Sequence, residues 1–355
     1  MQDSDLIELS HGAGGKLADE LLAVIKESFT KRQYGTGIGI DSFDDGGTFV
    51  PPAGTQLVLS ADSHSIHPLF FPGGNIGVIA ITGTINDVAV MGAEPMVLTS
   101  CLLIEEGFRL GDLRTILKSM DTECVKVDVS LIAGDTKIMP KGTLDGLVIA
   151  TTAVGYCNDG ELVQDCGVKN GDLIIVSNSI GSHGIALMSF REGIEFSTRL
   201  ESDVSCVLPL IRDVKKLVKS SSGEAFNEAV HAMKDPTRGG LASAMNEFAL
   251  KSRTVDITLF EDKIPVEPAV EAASEMLGLD VLSISSEGCF IAAISPEYAD
   301  EIVKLLRKSQ TGKNAAIIGE ASVKGDKKGK VFLETLIGGK RILHKPLGEL
   351  IPRVC

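Results

Sequence analysis

Short apolar runs that end on an aspartate, or are flanked by one, recur through the first half of this 355-residue chain and constrain it to short buried elements whose polar ends carry the chemistry. Gln56-Leu57-Val58-Leu59-Ser60 alternates like a half-buried strand and ends in Ala61-Asp62-Ser63-His64. Ile76 to Thr82 leads into Gly83-Thr84-Ile85-Asn86-Asp87-Val88-Ala89-Val90-Met91, which reads as an apolar helix carrying Asn86 and Asp87 near its start. Leu131-Ile132-Ala133-Gly134-Asp135-Thr136-Lys137 repeats the format of strand, small residues and Asp, and adds a lysine. With the turn Asp44-Asp45-Gly46-Gly47, this gives a carboxylate set of Asp45, Asp62, Asp87 and Asp135.

Hard oxygen ligands without histidine or cysteine partners suit Mg2+, which takes one or two carboxylates plus nucleotide phosphates. The plainer alternative stays open: Asn86 or Asp87 could simply cap the helix. Lys137 beside Asp135 could be an ordinary ion pair, or could neutralise a transferring phosphate. His64 and His67 read as loop or core histidines.

At 355 residues the chain exceeds the size at which one core keeps growing, so two domains are expected. A net charge of −14, with no basic run denser than Lys327-Lys328-Gly329-Lys330, argues against a nucleic-acid partner. The acidic start and the lack of any apolar run near the roughly 18 residues of a membrane span predict a cytoplasmic protein with no membrane association. Seven cysteines include no CxxC pair, which disfavours a disulfide framework or zinc ribbon, and the six internal ones read as small apolar core residues.

Glycines ahead of predicted helices mark candidate anion loops, because free backbone N–H groups gather there. His11-Gly12-Ala13-Gly14-Gly15-Lys16 precedes an amphipathic stretch from Leu17 to Phe29, but Leu17 stands where a Walker loop needs Ser or Thr. Gly181-Ser182-His183-Gly184 is a second such loop. Met233-Lys234-Asp235-Pro236-Thr237-Arg238-Gly239-Gly240 joins an acid, a rigid turn and a guanidinium at a helix start, where bidentate phosphate contact is plausible and a capped turn with a surface arginine is the alternative. Ser286-Glu287-Gly288 places a glutamate just before a strand, and Gly319-Glu320 reads as a turn. The chain closes on Leu343 to Cys355, whose two prolines and Gly348 predict an extended, mobile arm ending in a thiol.

Taken together, His11 to Gly15, Pro68-Leu69-Phe70-Phe71-Pro72-Gly73-Gly74, Asn86 to Pro95, Gly134-Asp135-Thr136-Lys137, Asp235 to Gly240, Ser286-Glu287-Gly288 and the closing Pro352-Arg353-Val354-Cys355 resemble the HypE family of hydrogenase maturation factors across nearly the whole chain. That family is related to aminoimidazole ribonucleotide synthetase, selenophosphate synthetase and thiamine monophosphate kinase. The resemblance implies an α/β (α+β) fold with two PurM-like domains. It divides the chain into an arm at 1–40, an ATP-binding domain at 41–157, a second domain at 158–343 and a flexible tail at 344–355. A homodimer through the first domain's sheet is implied as well.

It further implies that a HypF-type carbamoyltransferase loads Cys355, that ATP drives dehydration of the resulting thiocarbamate to thiocyanate, and that the cyano group passes to iron on a HypC–HypD scaffold. On that basis Asp45, Asp62, Asp87 and Asp135 hold Mg2+, and Asn86, His11, Gly12, Gly14, Gly15 and Arg238 support the nucleotide. Lys137 stabilises the transferred group, Glu287 is the base and Cys355 carries the substrate. A small-molecule kinase or synthetase using the same cleft, and a non-catalytic carrier, remain open alternatives.

Overall fold

The computed structural model describes residues 2, 5–12, 16–42, 46–194, 200–221, 223–323, 329–347, 351 and 354–355. Asp45, Gly14, Gly15 and Arg353 lie outside them. The first part runs α1 (Lys16–Glu27), β1 (Gln56–His64), the ribbon β2 and β3 (Phe70–Phe71, Gly74–Asn75), α2 (Ile76–Val90), β4 (Glu94–Glu105), α3 (Leu110–Val127), β5 (Ser130–Met139) and β6 (Leu147–Cys157). The second runs β7 (Leu173–Val176), α4 (Ser182–Arg191), α5 (Leu208–Ser221), α6 (Phe226–Ala229), β8 (Val230–Lys234), α7 (Gly240–Ser252), β9 (Val255–Phe260), α8 (Pro268–Leu277), β10 (Ile291–Ile294), α9 (Pro296–Leu306), β11 (Ala316–Val323), β12 (Val331–Glu334) and β13 (Lys340–Ile342).

Among the described residues β1-β6-β4-β5 form a four-stranded sheet and β13-β12-β9-β11-β7-β10-β8 a seven-stranded one. Among the described residues only β4–β5 and β9–β12 pair in parallel. β6 alternates buried and half-buried residues along its whole length, as a strand with one face on a core must.

That core is α2. Apolar on every side, it has to be enclosed, and it packs against β1, β4, β6, α3 and α5. The helix begins at Ile76 rather than Gly83, because the Asn75 side chain caps it, accepting from Gly77 N at 2.8 Å and Val78 N at 3.3 Å. Asn86 and Asp87 therefore sit near its end, which excludes the capping reading for both. Asn86 is 1% exposed and bridges to the second part of the chain: its amide donates to Ser205 O at 3.1 Å and accepts from Val207 N at 2.9 Å. α5 reinforces the join, with Lys215 Nζ donating to Gly92 O at 2.6 Å and Arg212 paired to Glu94.

Other expectations are corrected. Asp135 and Lys137 lie within β5, not beyond its end, and Gly319-Glu320 lies within β11. Cys101 and Cys166 are exposed, whereas Cys124, Cys157 and Cys289 are core residues. Burial pushes the Cys124 and Cys206 thiols up to about 12, so both are unreactive. No helix among the described residues is long and apolar enough to cross a membrane.

Replacing Asn86 by alanine strands two buried backbone groups and is expected to lower unfolding stability by about 2–4 kcal/mol in a urea titration. A loss below about 1 kcal/mol would mean that the 205–207 connection is held by something else.

Candidate active site

The predicted residues separate into two sets. Register places Asp62, Thr151, Ser100 and Gly134 in one row across the first sheet, on the face that meets α2. Asp135 and Lys137 pair with Cys101 and Leu103 and point to the opposite face. Asp62 on one edge strand and Asp135 on the other are thus three strand spacings apart, roughly 14 Å, and on opposite faces. The turn Leu9–Gly12 packs on β5, so His11 and Gly12 belong with Asp135 and Lys137. His11 is buried there, its Nδ1 accepting from Glu8 N at 3.0 Å.

The other set converges at the seam between the two sheets. Asp87 accepts from Ser60 Oγ at 2.7 Å. His64 Nε2 lies 3.6 Å from Asp62, too far for a hydrogen bond. Asp235 follows β8 directly, 7% exposed, and Glu287 is 3% exposed. Between them and the tail, Asp203 accepts from Glu287 N at 3.3 Å and Gly288 N at 3.1 Å. A cleft of about 890 Å³ opens beside Ser60, Asp87, Lys234 and Asp235. A cavity of about 340 Å³ lies between Arg238, Ser285, Lys345, Ile351 and Val354. Arg238 is reached by the positive-φ turn at Gly239, and no side chain fits at Gly240, where a Cβ would meet Ile284 O at 2.5 Å.

Burial raises Asp87, Asp203, Asp235 and Glu287. Asp235 is pushed up to about 7, first by desolvation and then by Asp87 and Asp62, with Lys234 acting against them. Asp203 rises to about 6 despite its backbone donors. Asp87 is raised by burial, the Ser60 hydrogen bond offsetting part of this, and Glu287 rises well above its ordinary value through burial and its acidic neighbours. His64 is lowered, by burial first and by Arg238, while Asp62 pulls the other way.

The tail is not a free arm at its described end. Ile351 and Val354 are buried to 4% and 3% exposure, Cys355 is half-buried, and Ser65 N donates to Cys355 O at 3.3 Å. The closing cysteine therefore lies beside the end of β1, the strand that carries Asp62 and His64. Buried polar atoms without hydrogen-bond partners among the described residues include four here: both His64 nitrogens, Ser285 Oγ and Glu287 Oε1. Such orphans mark a place shaped for a ligand.

Asn86, expected on the nucleotide, has its amide engaged by backbone instead. Of the four aspartates expected to hold magnesium, Asp45 lies outside the described residues, and Asp135 does not converge with Asp62 and Asp87 within one chain. Among the described residues no three His, Cys, Asp or Glu side chains come together as a metal site, since Asp135 faces away. Two carboxylates with phosphates still suit magnesium, and the repulsion within the seam favours a cation there. Sequence reasoning noted Asp235 in its motif but did not group it with Asp62 and Asp87. Its position one residue past the run that ends at Met233 was the available signal, close to the format that had marked Asp62. Nothing in the local sequence of Asp203 sets it apart.

The N-terminal domain of AIR synthase related protein matches residues 43–157, and the C-terminal domain of the same family matches 169–332. A putative hydrogenase expression/formation protein of Methanocaldococcus jannaschii is 43% identical over 97% of this chain and 98% of its own length. Carbamoyl dehydratase HypE of Rhizobium leguminosarum bv. viciae is 39% identical over 98% of this chain and 95% of its own. The crystal structure of hydrogenase maturation protein HypE in complex with ATP superposes with a TM-score of 0.89 at 30% identity, covering 98% of this chain and 99% of that one. The HypE–HypF complex superposes with a TM-score of 0.76 at 35% identity, covering 94% and 100%.

The Asp235 ionisation has a calculable sign. Its folded-state value lies above the ordinary 3.8, so the charge destabilises the fold increasingly from about pH 4 and fully above about pH 7. Without nucleotide or divalent cation, Asp235→Asn should melt several degrees higher than the parent at pH 8 and nearly level with it at pH 4.5 in a thermal scan. Equal shifts at both pH values would remove ionisation as the cause.

Proposed function

This chain belongs to the HypE family of carbamoyl dehydratases within the AIR synthase related proteins, and from that premise we propose that it uses ATP to dehydrate an S-carbamoyl group carried on its own Cys355. The observation that carries the proposal is the seat of the closing cysteine, docked beside the end of β1 at the acidic seam.

A HypF-type carbamoyltransferase loads the sulfur as S–C(=O)–NH2. Transfer of the terminal phosphoryl group of ATP to the carbonyl oxygen, with loss of one nitrogen proton, makes that oxygen a leaving group. Departure of phosphate and of the second nitrogen proton leaves S–C≡N, so the products are thiocyanate, ADP and phosphate. Glu287 receives a nitrogen proton: its Oε1 has no partner, and burial strengthens its hold on a proton. Arg238 and the start of α7 face the phosphate side. Magnesium would be held by Asp62 and Asp87 with Asp45 and Asp135, and would supply charge neutralisation for the phosphates.

The separation of the two residue sets supports a shared site in a homodimer. The outer face of the first sheet presents Leu57 and Leu59, 43% and 63% exposed, with Val148, Val154 and Leu103 half-buried. Packing two such faces together buries that apolar surface. It also lets Asp135, Lys137, His11 and Gly12 of one copy serve the seam of the other. The working divisions are 1–40, 41–157, 158–343 and 344–355. The protein acts in the cytoplasm, and the cyano group is then consumed by iron on a HypC–HypD scaffold.

Intact mass of the C-terminal peptide tests the reaction. Incubation with HypF-type enzyme, carbamoyl phosphate and ATP should add a carbamoyl group and then remove a water, and persistence of the carbamoylated mass would defeat the proposal. Cys355→Ala should abolish thiocyanate formation while ATP binding survives. Glu287→Gln should bind ATP and stall at the carbamoylated form. Lys137→Ala and Cys355→Ala, each inactive alone, should regain turnover when mixed and reannealed; silence of the mixture would place Lys137 within its own subunit's site.

A further inference from the structure

We propose that His183 is a positioning residue for the reacting thiol: it latches the last peptide of the chain so that Cys355 retains only its own side-chain torsion at the end of β1. The inference deepens the reading that Cys355 carries the reacting group and rests on it.

His183 is the second residue of α4 and is 0% exposed. Both ring nitrogens are used: Nε2 lies 2.7 Å from Val354 O and Nδ1 lies 2.7 Å from Ser202 Oγ. The surroundings set the tautomer. The Val354 carbonyl can only accept, so Nε2 carries the ring proton and donates it there, and Nδ1 accepts from the Ser202 hydroxyl, whose oxygen also accepts from Val204 N at 3.0 Å. Phe71 meets the ring edge-on at 5.5 Å and 87°, which fixes its plane. Burial lowers the imidazole to about 4, so it remains a neutral donor at physiological pH.

The helix start is shaped to receive the tail. A Cβ on Gly184 would lie 2.5 Å from Ile284 Cγ2, 3.0 Å from Ser285 Oγ and 3.1 Å from Ile351 Cδ1, so any larger residue here would push the tail away. Val354 and Ile351 fill the space beside it. On the far side Ser65 N holds Cys355 O. The Val354 carbonyl and the terminal carboxyl flank the Cys355 Cα, and with both anchored the sulfur can only step among staggered χ1 positions. One anchor comes from the end of β1 and the other from α4, so the thiol is placed relative to both halves of the seam at once. Because His183 acts through the Val354 peptide and not on the reacting atoms, its effect is on geometry. A displacement of about 1 Å at a reacting centre can cost about 100-fold in rate.

The test uses the full-length protein with Cys355 carbamoylated, and separately the unmodified protein with iodoacetamide. His183→Phe keeps the packing and removes the donor, while His183→Gln restores an N–H within reach of Val354. Expected for His183→Phe are a dehydration rate at least about 10-fold lower, a KM for ATP within about twofold of wild type, and Cys355 alkylation at least about 10-fold faster by peptide mass. His183→Gln should recover much of both, and Ser202→Ala should fall between, because Nδ1 loses the hydroxyl that holds the ring in place. Wild-type rates of dehydration and alkylation in folded His183→Phe would overturn the latch. So would identical losses in the Phe and Gln variants, which indicate packing alone. If wild-type protein forms no thiocyanate, the dehydratase reading fails, while the alkylation arm, which needs neither ATP nor a loading enzyme, still decides the latch.

Discussion

Helix α2 has no solvent face, and that one condition governs the geometry of both halves of the molecule. A helix apolar all round must be covered on all sides, so the inner face of the first sheet, α3 and α5 close over it. Every polar group it carries then needs a partner inside the protein. Thr84 meets Thr151 at 2.5 Å, Asn86 takes two backbone groups from the 205–207 segment, and Asp87 takes Ser60. The second of these binds the segment that leads into α5 to α2 itself. The third fixes a carboxylate at the seam between the halves.

The seam is electrostatically costly as it stands. Asp87, Asp235, Glu287 and Asp203 are all driven toward their neutral forms by lost hydration, and neighbouring carboxylates add to this for Asp87, Asp235 and Glu287. A fold selected for stability alone would not gather them, and perturbed carboxylates beside a cleft are characteristic of sites built for chemistry. The same residues become favourable once positive charge and a phosphoryl donor enter, which links nucleotide binding to relief of internal repulsion. Lys234 is the nearest built-in counterweight, but Asp165 and Glu247 already share it, at 3.3 Å and 3.2 Å.

The tail is held by opposing contributions at its described end. Burial of Ile351 and Val354 contributes roughly 3–6 kcal/mol, and fixing a chain costs about 1–2 kcal/mol per residue. Hydrogen bonds to Val354 O and Cys355 O add directional contacts to that apolar burial. Placement of the thiol then depends on a small number of directional contacts and not on a large apolar interface.

The sequence alone determined that the chain is α/β, that aspartates recur with its apolar runs, that Asp235-Pro236-Thr237-Arg238 opens a helix, and that a cysteine follows Pro352-Arg353-Val354. Each of these is a local property, set by side-chain period, turn chemistry or composition over a few residues. Tertiary structure alone decided which carboxylates meet. Asp62 and Asp135 share one sequence format yet face opposite sides of opposite edges, because side chains alternate along a strand and strand order is set by pairing between distant segments. The same holds for Asn86, whose role was settled by a backbone segment more than a hundred positions away, and for His183, which looks like part of a glycine loop until the last turn of the chain is laid against it. Long-range contacts carry no local signature, so these assignments had to wait for the fold.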